Sequence, residues 1–244
     1  MTHERVPIFG MSDSQEFVED FERYRFASRY VAGKRVVDLA CGTGYGAEML
    51  VRDGKAIVVY AIDASHDAIM EAAAVYRSRA IKFLTGTAER IPLPDASVDV
   101  AVSMETFEHL RQPQRLLEEF RRVLVPNGLL VISTPRNDTE SRLQPDNPFH
   151  VREYSAAEFR QSLEGVFPSI IVWSQFVDYT DDTPAALGAP DSFIRKVGRA
   201  VIWTSVRRKL RRAVGSRGRA RSGSRIVEGE DARAAYQIAV CHSG

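Results

Sequence analysis

The sequence predicts an α/β fold in which a mostly parallel sheet of seven strands is covered by helices on both faces. Three observations lead to this prediction. Short apolar runs alternate with segments of helical periodicity, a glycine-rich turn follows the first run, and the 244 residues are 44% hydrophobic and 27% charged. Such a composition is typical of a folded domain and is too apolar for a wholly disordered chain.

The amino-terminal half contains the clearest alternation. A helix is predicted first, because Phe17, Phe21 and Tyr24 recur at helical spacing. A short apolar run then begins at Arg35 and ends in the glycine-rich turn. In order, the predicted elements are a helix over 14–31, a strand over 35–40, a turn over 41–46, a helix over 47–52, a strand over 56–62, a helix over 65–78 and a strand over 81–85.

The carboxyl-terminal half continues this pattern and then loosens. The predicted elements are a strand over 98–103, a helix over 113–124, a turn over 126–128, a strand over 129–134, a helix over 155–163, and strands over 167–177 and 235–241. Ser155 followed by Glu158 is a capping-box signature for the last helix. Strands and helices that alternate at these spacings form right-handed βαβ units and hence a parallel sheet.

The formal net charge of +1 hides two differently charged parts. Twelve basic residues and no acidic one fall between Arg195 and Arg225, which leaves 21 basic against 32 acidic residues, a net charge of −11, in the rest. We therefore expect a single domain over 1–244 with an N-terminal helix over 12–32 and a basic insertion over 190–225 before the last strand. Electrostatic fields act locally, so any argument about a partner must treat the two parts separately.

The sequence also excludes several classes of protein. No apolar run approaches the about 18 residues of a membrane span, and the first residues lack the layout of a signal peptide. The two cysteines are too few for a disulfide framework or a zinc site. We therefore expect a cytoplasmic protein with reduced cysteines.

The glycine-rich turn is the first candidate for a binding site. Ligands of open α/β sheets lie at the carboxyl ends of the strands, where glycines let the backbone approach closely. Gly42 and Gly44 stand at that point, with Asp38 before them and Asp63 at the end of the second strand. Structural alternatives exist, since any tight turn could use these glycines and Asp38, and Asp63 could cap the next helix. The turn also satisfies a relaxed dinucleotide fingerprint.

Several motifs in a fixed order are more specific than the glycines. The segments VVDLACGTGYG, the strand-ending Asp63, GTAERIPLPDASVDVAVSMETFEHL and FRRVLVPNGLLVISTP resemble the successive motifs of class I S-adenosylmethionine-dependent methyltransferases. The resemblance covers residues 21–167 and implies a Rossmann-like sheet with an antiparallel last strand, S-adenosyl-L-methionine as cofactor, and methyl transfer. A dehydrogenase is disfavoured, because no hydride-transfer apparatus is recognisable downstream.

The resemblance also implies which residues meet the cofactor. They are Asp38, Ala40, Gly42 and Gly44 around the methionine part, Asp63 on the ribose hydroxyls, Ala64 beside the adenine, Thr87, Ala88 and Glu89 at the adenine edge, and Met104 in the cleft. The family commonly has Asp where this sequence has Thr87, which makes the backbone of Ala88 the firmer candidate. The N-terminal helix resembles a lid from which Arg23 or Tyr24 would reach the cofactor carboxylate. The alternative is a solvated Arg23 and a core Tyr24.

The chemistry expected of the site concerns the acceptor. Methyl transfer from a sulfonium is an in-line displacement that needs alignment and exclusion of water, and we expect it to require no metal. A hydroxyl acceptor needs a base to remove its proton. His150 and His109 are the candidate catalytic residues, since both follow strands at the carboxyl edge, and Glu105 is a candidate for positioning the hydroxyl. Alternatively, each histidine only stabilises loop structure, and Glu105 only stabilises a helix start.

The acceptor is indicated by a second resemblance. The segment NPFHVREYSAAEF resembles small-molecule and envelope-glycan methyltransferases, including relatives of quinone O-methylases. This implies O-methylation of a sugar, a glycan or a lipid-linked small molecule. The alternatives are an RNA methyltransferase that grips nucleic acid with the basic insertion, and a non-catalytic S-adenosylmethionine-binding protein.

The basic insertion contains a helical pattern over 193–214 that bears on the partner. Apolar residues, including Trp203, recur at three- and four-residue steps, and basic residues fall mostly between them. We favour peripheral contact with an anionic membrane at the inner face. A helix packed on the domain comes second, and contact with RNA comes third. The following residues, 215–225, have no apolar pattern and are expected to be disordered.

Overall fold

One eight-stranded sheet organises the computed structural model, which describes residues 15–178 and 223–244. In chain order the elements are α1 Gln15–Ala27, β1 Arg35–Leu39, α2 Tyr45–Arg52, β2 Val58–Asp63, α3 His66–Val75, β3 Ile81–Thr85, β4 Val98–Ser103, α4 Pro113–Val123, β5 Leu124–Pro135, α5 Ala156–Glu164, β6 Ser169–Asp178, β7 Gly223–Glu228 and β8 Tyr236–His242. The strands lie in the order β3-β2-β1-β4-β5-β8-β6-β7.

The five strands from β3 to β5 are parallel, as the alternation predicts. The chain runs outward from β1 to β3 and then returns to place β4 on the other side of β1. The point where the strand order reverses is where open α/β sheets bind ligands. The carboxyl ends of β1 and β4 are therefore the expected place of the site.

Helices cover both faces of the sheet and form two cores. One core contains Phe26 of α1, Leu50 of α2 and Ile69 of α3. The other contains Phe120 of α4 and Phe159 of α5. The α4 stripe predicted from the sequence, Leu116, Leu117 and Phe120, is fully buried. The predicted layering of helices on both faces is thus confirmed.

The antiparallel last strand is confirmed, but the sheet contains one strand more than predicted. Strand β8 pairs antiparallel with both β5 and β6. The additional strand is β7, at the edge of the sheet, where Arg225 lies 4.6 Å above the Phe176 ring and Ser224 accepts a hydrogen bond from Gln175. The expected disorder is therefore wrong for residues 223–225, because partners on β6 hold them in place. The remainder of the basic insertion, including 193–214, lies outside the described residues.

Strand β5 also begins earlier than predicted. Val98 pairs with Leu124 and Val100 with Leu129, so the ladder resumes after an irregularity and the strand spans the predicted turn over 126–128. Asn127 has φ of 60°, a left-handed conformation that Asn tolerates better than most residues. The turn residues thus form a bulge within the strand, and the predicted boundary at Leu129 is wrong.

The first and last helices agree with their sequence signals. The predicted N-terminal helix is present as α1 from Gln15 and continues as a short 3-10 turn over Ser28–Tyr30, and residues 12–14 lie outside the described part. Ser155 and Glu158 form the predicted capping box of α5. Within the described ranges, none of the helices is both long and apolar enough to cross a membrane.

Candidate active site

The glycine turn after β1 adopts a conformation that few residues tolerate. Gly42 and Gly44 have φ of 50° and 80°, and Ala40 between strand and turn has φ of 60°. A Cβ atom on Gly44 would lie 2.9 Å from both Ala72 and Phe83, whereas one on Gly42 would meet nothing within 4 Å. Gly44 is thus required by packing, and Gly42 leaves open space at the carboxyl edge where a ligand can approach the backbone.

Asp63 links the ends of β1 and β2. Its Oδ2 accepts a 2.9 Å hydrogen bond from the backbone N–H of Gly42, and its Oδ1 accepts one of 2.8 Å from Ser65. Ser65 itself caps α3 by accepting from Ala68, so the helix-cap alternative for Asp63 is wrong. Each carboxylate oxygen has a second lone pair. The half-buried carboxylate can therefore accept two further hydrogen bonds, as a ribose diol requires.

Asp38 lies beneath the turn and is fully buried. Its Oδ1 accepts a 3.0 Å hydrogen bond from the Tyr24 hydroxyl, and its Oδ2 has no hydrogen-bond partner among the described residues. Burial raises the pKa of Asp38 to about 8. A buried carboxylate that lacks one partner fits a ligand with a cationic amino group, such as the methionine part of S-adenosylmethionine.

Replacing Asp38 with asparagine should stabilise the protein without cofactor, and more so as pH rises. The raised pKa means that the folded state retains a proton which the unfolded state loses above pH 4. The stability of the parent therefore falls between about pH 4 and 8, and Asp38→Asn lacks this fall because it has no carboxyl group at this position. Each pKa unit is about 1.4 kcal/mol, so at pH 8 we expect Asp38→Asn to melt at least about 2–4 °C higher. Thermal melts at pH 4.5 and 8 measure this, and equal differences at both would contradict it.

The remaining cofactor candidates lie at the same edge with different exposure. Ala64, Thr87 and Glu89 are exposed, Ala88 is half-buried and Met104 is buried. The Gly86 N–H donates to the Asp63 carbonyl over 3.0 Å and joins this loop to the end of β2. The predicted arrangement of these residues around an adenosine stays a prediction.

A buried charged network holds α1 against the carboxyl edge. Arg23 is 3% exposed and donates to Gln175 on β6 over 2.9 Å, while its guanidinium carbon lies 4.4 Å above the Tyr236 ring centroid. Its Nε lies 3.5 Å from Asp20 and 3.8 Å from Glu105. The solvated alternative for Arg23 is therefore wrong. These contacts of Arg23 hold α1 where the Tyr24 hydroxyl reaches Asp38.

The end of β4 is strained and rich in carboxylates. Glu105 has φ of 49°, and its Oε1 accepts a 2.6 Å hydrogen bond from Ser133 on β5. Glu108 follows in a 3-10 turn over Phe107–His109 and is fully buried. Its Oε2 accepts from Thr134 over 2.9 Å, and burial raises its pKa well above the usual range. Non-glycine residues in strained conformations concentrate at functional sites.

His109 and His150 meet at this edge, with ring centroids 4.9 Å apart. His109 Nδ1 lies 3.0 Å from the Phe149 carbonyl, and His150 Nδ1 lies 2.9 Å from a Glu153 carboxylate oxygen. The sequence places the two histidines on separate loops, and the fold brings both candidates together. The contact expected under the structural alternative for His109 is present, since its partner is the loop that carries His150.

Sequence reasoning missed three residues that build this edge. Gln175 and Tyr236 anchor Arg23, and Glu108 lies between the two histidines and the strand ends. Gln175 carried a signal, because it is a polar residue within an otherwise apolar strand pattern. Glu108 carried none that predicts its burial, because that burial depends on packing after β4.

Comparisons with known proteins agree with this geometry. Residues 37–132 match the family described as a methyltransferase domain. A probable S-adenosylmethionine-dependent methyltransferase of Mycolicibacterium smegmatis is 36% identical over 167 residues, 67% of this chain and 63% of that protein. A mitochondrial ubiquinone biosynthesis O-methyltransferase of Schizosaccharomyces pombe is 34% identical over 118 residues, 46% of this chain and 42% of that protein.

A solved structure supports the fold independently. An S-adenosylmethionine-dependent methyltransferase from Mesorhizobium loti superposes with a TM-score of 0.57 at 16% identity, covering 96% of this chain and all of that one. The chain spans less than two thirds of the length of the curated relatives that it matches. S-adenosyl-L-methionine is the cofactor of this class, and Asp38, Gly42 and Asp63 fit it. The chain therefore carries a class I S-adenosylmethionine-dependent methyltransferase domain.

Proposed function

We propose that the protein transfers the methyl group of S-adenosylmethionine to a hydroxyl of a small amphiphilic acceptor, namely a sugar, a glycan or a lipid-linked molecule. The observation that carries this proposal is the meeting of His109 and His150 at the carboxyl edge of the sheet. His109 follows β4, which pairs with β1, the strand that leads into the glycine turn. A paired imidazole site next to a cofactor site is what an alcohol acceptor needs, because the hydroxyl must lose its proton.

The cofactor half of the proposal assigns each residue a task. Asp38 would face the amino group, and Ala40, Gly42 and Gly44 would let the backbone approach the methionine part. Asp63 would accept from both ribose hydroxyls. The adenine would lie by Ala64, Thr87, Ala88 and Glu89, and Tyr24 and Met104 would close the inner side. When bound, the cofactor supplies an electrophilic methyl group on a sulfonium.

The acceptor half rests on His150, His109 and Glu105. His150 is 11% exposed and His109 29% exposed, so both can be reached from solvent without lying in it. The Glu153 carboxylate fixes the His150 ring, and Ser133 fixes Glu105. The pair would remove the hydroxyl proton, and Glu105 would orient the hydroxyl for in-line attack. A partly dry cleft favours the displacement because water cannot compete as acceptor.

The amphiphilic character of the acceptor is supported by the rim of the site. The loop between β5 and α5 exposes three apolar side chains close to His150 in sequence, at 54%, 40% and 44% exposure: Leu143, Phe149 and Val151. One relative is named a ubiquinone biosynthesis O-methyltransferase, which points the same way for the reaction. The segment 193–214 would then dock the cytoplasmic enzyme on the inner membrane face.

A labelling experiment tests the acceptor class. Incubating lysate fractions with the full chain and radiolabelled S-adenosylmethionine should place label in a lipid or polysaccharide fraction, sensitive to the loss of His150. The protein should also bind anionic liposomes, and less so at high salt. Label in RNA with salt-sensitive RNA binding would instead favour an RNA methyltransferase, for which the twelve clustered basic residues are the supporting observation. Cofactor binding without label in any fraction would favour a non-catalytic protein.

A further inference from the structure

Three side chains of types that bind metal ions meet at the carboxyl edge of the sheet. Glu108, His109 and His150 each place one ligand atom within 4.8 Å of the other two. Two of them belong to the 3-10 turn after β4 and the third to the loop after β5. The backbone N–H groups of Val151 and Arg152 both donate to the Glu108 carbonyl, over 2.9 and 3.2 Å. The two segments are therefore joined by main-chain bonds, and the cluster is not a chance approach of mobile side chains.

Hydrogen bonds fix both imidazoles in the form that binds metals. His109 Nδ1 faces the Phe149 carbonyl, which only accepts, so the proton lies on Nδ1. His150 Nδ1 faces Glu153, and its Nε2 accepts from the Asn147 amide over 3.0 Å. Each ring thus carries its lone pair on Nε2. A carboxylate or carbonyl behind Nδ1 is the usual outer partner of a metal-bound histidine.

The third side chain of the cluster, Glu108, has a carboxylate oxygen that faces His109. Its Oε2 is bonded to Thr134, but its Oε1 is buried without a hydrogen-bond partner among the described residues and lies 3.7 Å from His109 Nε2. A buried carboxylate oxygen without a partner is costly unless a cation or donor satisfies it. Since the histidine nitrogen beside it carries a lone pair, a bound cation would satisfy both atoms at once.

We propose that Glu108, His109 and His150 form a three-ligand site for a divalent transition-metal ion of the Zn²⁺ type. Imidazole nitrogens favour zinc, cobalt or nickel over magnesium, which prefers oxygen ligands. Three protein ligands leave a coordination position open, as in catalytic zinc sites. Metal–ligand bonds of about 2.0–2.2 Å require the cluster to contract by about 1 Å and His150 to exchange its Asn147 hydrogen bond for the ion.

The site has a role that rests on the proposed function. Because both histidines are partly exposed, an open coordination position on their solvent side would receive the acceptor hydroxyl. A cation held there would bind the hydroxyl and make its proton easier to lose, and the proton would pass to water at the partly exposed edge. His109 and His150 then assist proton loss as ligands instead of bases. This departs from the expectation that methyl transfer here requires no metal.

Metal binding can be measured without any acceptor. Equilibrium dialysis of the metal-stripped full chain against Zn²⁺ should give one ion per chain, with at least tenfold weaker binding in His109→Ala and in Glu108→Gln. Excess Mg²⁺ should not compete. His242→Ala is the matched control, because His242 is an exposed histidine on β8 paired with Leu129, at the opposite edge of the sheet. Its zinc affinity should equal that of the parent.

Two outcomes would overturn the site. One is a stoichiometry far below one ion per chain, and the other is equal affinity in the parent and His109→Ala. S-adenosylmethionine affinity checks that each variant is folded. Zinc binding without methyl transfer in any fraction would contradict the proposed function and leave the site standing. Methyl transfer in the presence of a chelator, by a chain that binds no zinc, would contradict the metal site and leave the proposed function standing.

Discussion

Replacing His150 with alanine should lower kcat by about 10²–10⁴-fold, the usual contribution of a positioned proton-transfer group. The dissociation constant of S-adenosylmethionine should change little, because the cofactor candidates Asp38, Gly42 and Asp63 contact other parts of the edge. The loss follows whether His150 takes the proton itself or holds a cation that binds the hydroxyl. Single-turnover methylation of the identified acceptor and a separate cofactor titration measure the two quantities.

Two further variants sharpen this test. Glu153→Gln keeps a side chain near His150 Nδ1 but removes the charge that orients the ring, so we expect a smaller loss than in His150→Ala. His242→Ala should keep full turnover, since its exposed side chain lies on β8 opposite Leu129, away from the carboxyl ends of the parallel strands. Turnover in His150→Ala equal to that of the parent would remove His150 from the catalytic pair.

Local patterns in the sequence predicted most of the fold because the central strands obey simple rules. The run from Val36 to Leu39 is buried on both faces and is therefore apolar except for Asp38. The capping box of α5 and the apolar stripe of α4 likewise depend on neighbours within a few residues. Strand β7 escaped prediction because its residues, GSRIVE, carry no alternation that separates them from the basic stretch before them.

The site was predictable only in part, for a related reason. Asp63 and the glycines follow strands directly, so their meeting at one edge follows from parallel pairing. The contact between His109 and His150 depends on how two loops fold over that edge, and the burial of Glu108 depends on main-chain bonds from Val151 and Arg152. Such long-range contacts leave no periodic signal. The contacts of Arg23 are of the same kind: a hydrogen bond to Gln175 and the stacking of its guanidinium on the Tyr236 ring.

Replacing Asp63 with alanine should weaken S-adenosylmethionine binding by about 10²- to 10⁴-fold. Hydrogen bonds to a charged group contribute about 1.5–3 kcal/mol each, and about 1.4 kcal/mol is a tenfold change in the dissociation constant. Two ribose hydroxyls would be lost as donors, and Gly42 would lose the acceptor that holds the turn in place. Isothermal titration of the cofactor measures the effect directly.

The Asp63 test separates binding from folding through its controls. Asp63→Asn has one carbonyl oxygen and so retains a single acceptor group, which should give an intermediate affinity. Asp53→Ala removes a carboxylate that pairs with Arg52 after the end of α2, on the side of the sheet away from the glycine turn, and should bind the cofactor as the parent does. A dissociation constant unchanged in Asp63→Ala would contradict the cofactor placement at this edge. A large loss of melting temperature in Asp63→Ala, absent from Asp63→Asn, would instead assign the carboxylate a structural task in the turn, because only the asparagine can still accept from the Gly42 N–H.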